Sequence, residues 1–333
     1  MTKFYKLVFS STLISGTVLA ISSMSWFSAW MGLEINLLSL MPLMKNFKNK
    51  FASEATIKYF ITQAMASMIM LLSILMFSNT KNLSMEMAPS LLLSASLLMK
   101  MGAAPLHFWL PEVVSGVSWG TCLLILTWQK IAPMILLFYS NTVNSLMYAT
   151  IIVSSMVGGL LGLNQICLRK IMAFSSINHI SWMLAASITS MTLWMTYFVV
   201  YSLINTGIIL TMHKNKMFYL PQLMKLSPSK KYTKMVLLMS LLSLGGLPPF
   251  LGFLPKWLTI SALSSVNLMY LATVLIITTL LSLFIYLRIT FTTLTLSSDE
   301  SLHLKTEIIT MSMNMLSMVS MMGLMLTIVM SEL

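Results

Sequence analysis

Two short stretches that interrupt long apolar runs decide the fold. Residues 99–105 read Met-Lys-Met-Gly-Ala-Ala-Pro, and residues 245–250 read Gly-Gly-Leu-Pro-Pro-Phe. Glycine and proline both disfavour continuation of a helix, so each stretch predicts a broken helix. Paired broken helices at corresponding positions of two halves of a chain are typical of transporter folds that contain inverted repeats.

The composition around these stretches excludes a soluble globule. Of 333 residues, 57% are hydrophobic and only 8% are charged, whereas roughly 25% are charged in a soluble domain. The apolar residues form runs of about 18 to 25, the length that crosses a bilayer as a helix. The alternating pattern of a membrane β-barrel is absent. The sequence therefore predicts an all-α polytopic membrane protein.

Eleven membrane segments are predicted, and the fourth and ninth contain the two breaks. Their centres lie near residues 14, 35, 67, 99, 129, 154, 179, 201, 249, 279 and 320. Two sets of five segments would occupy residues 1–140 and 141–295, and a connection with a final helix would occupy 296–333. Because five is an odd number, the two sets would have opposite orientations in the membrane.

The basic residues outside these segments predict the orientation. The N-terminal tail and the even-numbered connections hold fourteen of them, whereas the odd-numbered connections hold only Lys81. By the positive-inside rule the N-terminus lies on the basic side and the C-terminus on the opposite side. The net charge of +12 is then a basic membrane face that favours anionic lipids. No feature of the sequence indicates nucleic-acid binding.

Five basic residues remain inside the segments. Each would cost roughly 2.5 to 3.5 kcal/mol at a helix centre without a partner or water. Lys58 and Arg288 lie near segment ends, where long side chains reach the interface. Lys100, Lys130 and Lys256 lie deeper, so we interpret them as functional.

Glu34 is the only acidic residue at the centre of a segment, and we expect it to pair with Lys100. A nearby carboxylate favours the protonated lysine and burial disfavours it, so separating the two groups could release a proton. His107 and His179 are secondary candidates for proton transfer. The alternative interpretations are a static buried ion pair for the charges and satisfied core positions for the histidines.

The cysteines and one glycine pair have structural interpretations. Cys122 and Cys167 are too far apart in sequence to form a zinc or iron–sulfur site by themselves, so we expect no metal on this chain. Gly158 and Gly162 form a Gly-x-x-x-Gly pattern that favours close helix packing.

Five stretches together resemble the NADH dehydrogenase subunit 2 family of animal mitochondria, an antiporter-like membrane subunit family of respiratory complex I. The matching stretches are residues 30–36, 100–112, 128–133, 172–179 and 244–253. The resemblance implies two inverted five-helix repeats with a final helix. It also implies roles for Glu34 as the acidic partner, Lys100 and Lys256 as the lysines of two half-channels, and Lys130 as the connecting lysine. Leu106 departs from the family, which often has Phe there.

The resemblance further implies a function and a location. It implies a subunit of the proton-translocating NADH:ubiquinone reductase, located in the mitochondrial inner membrane with its N-terminus in the matrix and its C-terminus in the intermembrane space. Protons would move from the matrix outward. NADH, FMN, iron–sulfur clusters and ubiquinone would bind to other subunits of complex I, and no cofactor would bind to this chain. The alternatives are a stand-alone cation/proton antiporter and a non-pumping membrane scaffold.

Overall fold

A computed structural model describes residues 4–45, 49–79, 87–140, 144–224 and 231–295. All the regular elements in these ranges are helices, and one isolated bridge joins Cys167 and Tyr219. The helices are α1 (Phe4–Ile21), α2 (Trp26–Met44), α3 (Lys50–Asn79), α4 (Met87–Met101), α5 (Trp109–Gly116), α6 (Trp119–Leu126), α7 (Trp128–Tyr139), α8 (Asn144–Gly162), α9 (Leu168–Thr189), α10 (Met191–Lys214), α11 (Leu220–Met224), α12 (Lys231–Gly245), α13 (Phe253–Ser265) and α14 (Met269–Thr295). The prediction of an all-α polytopic membrane protein is confirmed.

The helices account for ten of the eleven predicted segments. Within the described residues, eight stretches are long and apolar enough to cross a membrane, and shorter apolar helices cover Ala88–Met101 and Thr233–Gly245. These two shorter helices are the first halves of the predicted broken segments. The predicted eleventh segment, near residue 320, lies outside the described residues.

Both predicted breaks begin with a glycine in the left-handed region of backbone conformation. After α4, Gly102 has φ of 78°, and after α12, Gly246 has φ of 79°. The amide of Gly102 donates to the Met99 carbonyl at 3.2 Å, and the amide of Ala103 donates to the Leu98 carbonyl at 3.1 Å. This arrangement is a Schellman motif, which requires a residue that tolerates positive φ. The breaks are therefore encoded locally.

The fifth segment is also interrupted, which the sequence analysis did not predict. Helix α6 ends at Leu126 and α7 begins at Trp128, with Thr127 between them at φ −117° and ψ −71°. The hydroxyl of Thr127 donates to the Leu123 carbonyl at 2.7 Å and so competes with the backbone for that acceptor. Lys130 lies near the middle of the apolar span Trp119–Tyr139, as expected, and within that span it falls in the first turn of α7.

The chain divides into two compact units, Met1–Thr150 and Ile151–Leu333. The division falls inside α8, ten residues after the sequence-based boundary at 140. In the second unit α9 is almost entirely buried, and α10, α13 and α14 pack around it. A Cβ atom on Gly158 would lie 2.7 Å from the Asn178 backbone nitrogen. The predicted close approach of α8 is thus confirmed at this glycine, and α9 is the helix against which the second unit is assembled.

Candidate functional site

Lys100 lies in the last turn of α4, directly before the first break. Its side chain is only 6% exposed. Two side chains bind the helix end beside it, because the Gln63 amide donates to the Lys100 carbonyl at 3.4 Å and the Trp109 indole donates to the Met99 carbonyl at 3.1 Å. Carbonyls at a helix C-terminus lack partners within the helix. Helix α3 and the far side of the break therefore hold Lys100 in place.

A small polar cavity adjoins Lys100 inside the first unit. It measures about 10 Å³, which is close to the space that one water molecule needs. At its edge the Gln129 amide donates to the Asn36 side-chain carbonyl at 2.9 Å, which links α7 to α2. The residues lining the cavity are Leu33, Asn36, Leu37, Tyr59, Gln63, Lys100, Gln129 and Pro133.

Glu34 and Lys100 do not form a direct ion pair. Within the described residues, ion pairs at 4.0 Å or less involve Lys58 with Glu54 and Lys58 with Glu112. The Glu34 carboxylate nevertheless interacts electrostatically with Lys100 and with Tyr59. Its Oε1 atom is buried and has no hydrogen-bond partner among the described residues. Glu34 thus has an acceptor atom available for a proton or for water.

Lys130 is the most deeply buried of the three interior lysines, with 1% of its surface exposed. Its backbone amide donates to the Thr127 carbonyl at 3.2 Å, in the first turn of α7. The preceding residue, Gln129, lines the cavity beside Lys100. Lys130 is therefore the neighbour in sequence of a residue that lines the same cavity as Lys100.

In the second unit, Lys256 lies across the end of α12. Its Nζ atom donates to the Gly245 carbonyl at 2.9 Å and to the Leu244 carbonyl at 3.3 Å. A Cβ atom on Gly246 would lie 2.9 Å from Nζ, so the glycine leaves room for the lysine. Nζ also lies 5.9 Å from the centre of the Trp182 ring on α9. The ammonium therefore meets the negative end of the α12 dipole.

His179 lies on α9, one helical turn before Trp182. Its Nδ1 atom forms a 2.8 Å hydrogen bond with the Tyr197 hydroxyl on α10. Asn205 also lies on α10, and both of its side-chain polar atoms are buried without a hydrogen-bond partner among the described residues. Such atoms in a native interior are usually satisfied by ordered water. Helix α10 thus contributes a buried polar side chain to the second unit that suits hydration.

The remaining predicted residues have local contacts. The Nδ1 atom of His107 contacts the Pro105 carbonyl at 3.2 Å, inside the first break, and its ring lies 4.4 Å from that of Phe108. Lys58 is partly exposed in its two ion pairs, as expected for an interfacial residue. Arg288 donates to the Leu163 carbonyl at 2.6 Å near the end of α14.

Sequence reasoning missed several polar residues that surround these charges. Gln63 is buried in the middle of the long apolar helix α3, and Tyr197 is buried on α10. A glutamine at the centre of a membrane segment is costly, so its position was a usable signal. Asn36 and Gln129 lay inside the stretches that carried the family resemblance. No group of three or more His, Cys, Asp or Glu side chains with metal-binding geometry occurs within the described residues.

The family profile described as "NADH:quinone oxidoreductase/Mrp antiporter, TM" matches residues 23–282. The chain is 48% identical to NADH-ubiquinone oxidoreductase chain 2 of Anopheles gambiae, covering 90% of this chain and 89% of the relative. It is 43% identical to the protein of the same name in Locusta migratoria, covering 97% and 96%.

Two solved structures share the fold. A chain of respiratory complex I from Thermus thermophilus matches with a TM-score of 0.86 and 21% identity, covering 98% of this chain and 79% of the other. A chain of the Mrp complex from a Dietzia species matches with a TM-score of 0.75 and 18% identity, covering 84% and 58%. The architecture described above is therefore shared with subunits of membrane assemblies.

Proposed function

Because the chain belongs to the NADH:quinone oxidoreductase/Mrp antiporter membrane family, with NADH-ubiquinone oxidoreductase chain 2 proteins as relatives, we propose that it is a proton-translocating membrane subunit of NADH:ubiquinone oxidoreductase. In this proposal the chain lies in the mitochondrial inner membrane with its N-terminus in the matrix. The NADH, FMN, iron–sulfur and ubiquinone sites belong to other subunits. Protons move from the matrix to the intermembrane space.

One observation carries the proposal: each of the three buried lysines lies at a helix interruption. Lys100 precedes the first break, Lys130 follows Thr127, and Lys256 binds the carbonyls at the second break. Irregular backbone inside a membrane is tolerated where it is buried in protein or lines an aqueous cavity. Ionisable groups there mark ion or proton pathways. A purely structural role would not explain why all three buried lysines lie at helix interruptions.

The proposed mechanism uses lysines that alternate between protonated and neutral states. Glu34 stabilises the protonated form of Lys100, and a change in their separation releases the proton toward the polar cavity. Lys130 passes the proton to the second half-channel, where Lys256 receives it. His107 and His179 are additional carriers, and Tyr197 fixes the orientation of the His179 ring. Moving one charge against the membrane potential requires roughly 2.3 kcal/mol per 100 mV, so remote redox chemistry supplies the energy.

The two alternative functions, a stand-alone antiporter and a non-pumping scaffold, are less well supported. A stand-alone cation/proton antiporter is favoured by the fold shared with the Mrp complex, but that likeness has only 18% identity, whereas the NADH-ubiquinone oxidoreductase relatives exceed 40%. Isolation of the functional chain without other subunits would favour the antiporter. A non-pumping scaffold gives no role to the interior lysines.

The proposal is tested by Lys100→Met in the assembled complex, with Lys58→Met as the matched control. Both variants remove one lysine charge from the first unit, but Lys58 is partly exposed and paired with Glu54 and Glu112. We expect Lys100→Met to lower the number of protons translocated per NADH oxidised, or to block coupled turnover, and Lys58→Met to retain both. Full proton stoichiometry in assembled Lys100→Met would contradict the proposal.

A further inference from the structure

A pocket of about 390 Å³ lies in the second unit, and Lys256 is not among the residues that line it. Three parts of the chain form it: the α8–α9 turn with Leu163, Asn164 and Ile166, the start of α11 at Leu220, and the last turns of α14 with Arg288 and Thr292. Backbone hydrogen bonds from Leu168 to Phe218 and from Leu220 to Ile166 hold the turn against the start of α11. The pocket is therefore built by tertiary structure, and its volume is that of a small-molecule site.

Arg288 supplies the positive charge of this pocket. Its Nη2 atom donates to the Leu163 carbonyl at 2.6 Å, which fixes the side chain at the pocket wall. A guanidinium has five N–H donors and matches the geometry of a phosphate group. A half-buried arginine that lines a cavity can bind an anion without the entropic cost of ordering a free side chain.

The second unit cannot supply that anion from its described residues. The sequence contains no Asp or Glu between Glu112 and Asp299. The same connections carry further basic residues, and two of them are already engaged: Arg169 lies over the Phe218 ring at 4.8 Å, and Lys234 donates to the Thr293 carbonyl. Among the described residues of the second unit, the charge around the pocket is therefore positive, with no carboxylate to compensate it.

Apolar side chains continue the pocket toward the membrane-spanning helices. Ile166 lies on its wall and is 63% exposed, and Leu220 and Ile289 also line it. A ligand for such a site combines an anionic group with an apolar body. Basic pockets between membrane helices on the matrix or cytoplasmic side bind the headgroups of anionic phospholipids through this combination of contacts.

We propose that this pocket is a specific binding site for the phosphate headgroup of an anionic membrane phospholipid, with Arg288 as its anion-binding residue and Asn164 and Thr292 at its polar wall. The site is separate from the proton path. Its occupant joins the α8–α9 turn to α14 and neutralises the basic end of the second unit.

The test uses the native assembly containing the full chain, delipidated in mild detergent and placed in nanodiscs. One nanodisc preparation contains a photoactivatable phosphatidylglycerol whose reactive group lies next to the headgroup, and a matched preparation contains the corresponding phosphatidylcholine. Peptide mapping then locates the label. We expect labelling of residues 163–166, 220 and 288–292 by the anionic lipid. The zwitterionic lipid should label them at least about tenfold less, because its headgroup keeps the phosphate but adds a quaternary ammonium that the basic surroundings of Arg288 repel.

Three variants of the chain make the result specific. Arg288→Gln should lose the label about tenfold, and Arg288→Lys should retain most of it. Lys170→Gln is the matched control, because Lys170 lies in the same basic region but does not line the pocket, and its labelling should not change. Asn164→Glu places an anion at the exposed rim and should also abolish labelling, which keeps the test informative if Arg288→Gln fails to assemble.

Several outcomes would overturn the proposal. Equal labelling by the two lipids would exclude recognition of the anionic headgroup. Unchanged labelling in Arg288→Gln or in Asn164→Glu would exclude the assigned residues. Displacement of the lipid label by inorganic phosphate, compared with chloride at the same ionic strength, would assign the pocket to a free anion instead.

Discussion

The three interior lysines differ in where they lie relative to the dipoles of neighbouring helices. Lys100 lies in the last turn of α4, and the Nζ atom of Lys256, a residue of α13, lies at the C-terminal end of α12. The helix dipole favours a cation at both of these ends. Lys130 lies in the first turn of α7, where the dipole opposes a cation. The α7 dipole therefore does not favour a permanent positive charge on Lys130.

Lys130→Arg separates a proton carrier from a structural cation. Arginine keeps the positive charge but is effectively never deprotonated in proteins. We expect Lys130→Arg to lose proton translocation nearly as fully as Lys130→Ala, measured as protons moved per NADH oxidised in an assembled complex. Near-normal translocation by the arginine variant would remove Lys130 from the proton path.

Glu34→Gln should lower proton-coupled NADH oxidation while leaving assembly intact. The substitution keeps the side-chain volume but removes the charge that interacts with Lys100. Glu54→Gln is the matched control, because Glu54 is exposed and paired with Lys58 at 2.9 Å. Assembly and pumping are measured separately in both variants. If Glu34→Gln pumps at full stoichiometry, the interaction with Lys100 has no functional role.

At the scale of elements, the two breaks depend on glycines that accept positive φ. A Cβ atom at Gly102 would approach the Leu110 Cδ1 atom to 2.7 Å. This close approach and the left-handed backbone conformation both disfavour a side chain at residue 102. Gly102→Ala should therefore destabilise the assembled subunit by about 1 to 3 kcal/mol. The measurement is the thermal midpoint of the assembled complex. Gly120→Ala is the control, since a Cβ atom there meets nothing within 4 Å, and its midpoint should not fall.

Gly246→Ala should impair function as well as stability, in contrast to Gly102→Ala. A Cβ atom at Gly246 would lie 2.8 Å from Cδ and 2.9 Å from Nζ of Lys256. The side chain of Lys256 must then move, and its Nζ atom loses the hydrogen bonds to the Leu244 and Gly245 carbonyls at the end of α12. We expect lower proton stoichiometry in the fraction of Gly246→Ala complex that assembles. Unchanged stoichiometry there would show that this placement of Lys256 is not needed for pumping.

At the scale of the whole molecule, the basic connections should face the matrix. The connection from Lys214 to Lys234 holds six of the fourteen basic residues that predict the orientation, more than any other connection. We expect protease added to intact mitoplasts to leave it uncut. Cleavage from the outside would overturn both the orientation and the number of crossings.

The two cysteines provide an independent measurement of the same orientation. Cys167 is half-buried in the α8–α9 turn beside Tyr219, whereas Cys122 is fully buried on α6. A membrane-impermeant thiol reagent should label Cys167 in inverted inner-membrane vesicles and not in mitoplasts. Cys122 should remain unlabelled in both preparations. Labelling of Cys167 in mitoplasts alone would contradict the assigned orientation.

Helix breaks that depend on glycine were predictable from the local sequence, whereas the break at Thr127 was not. Both glycine-led breaks followed from residue type and position. The partial exposure of Lys58 agrees with its predicted place near a segment end. The interruption at Thr127 did not follow from residue type, because no glycine or proline occupies it and a threonine hydroxyl competes for a single carbonyl. The expected pairing of Glu34 with Lys100 depends on helix packing, and the two side chains are not within ion-pair distance among the described residues.

The sequence by itself determined that the chain is a helical membrane protein with two broken segments and charged residues at depth. These properties depend on the cost of burying polar groups in lipid and on backbone preferences of glycine and proline, which act locally. Only the tertiary structure decided which groups meet: Gln63 with the Lys100 carbonyl, Gln129 with Asn36, and Lys256 with the end of α12. Partner choice between distant residues depends on helix packing, which is a property of the folded chain and not of any single segment.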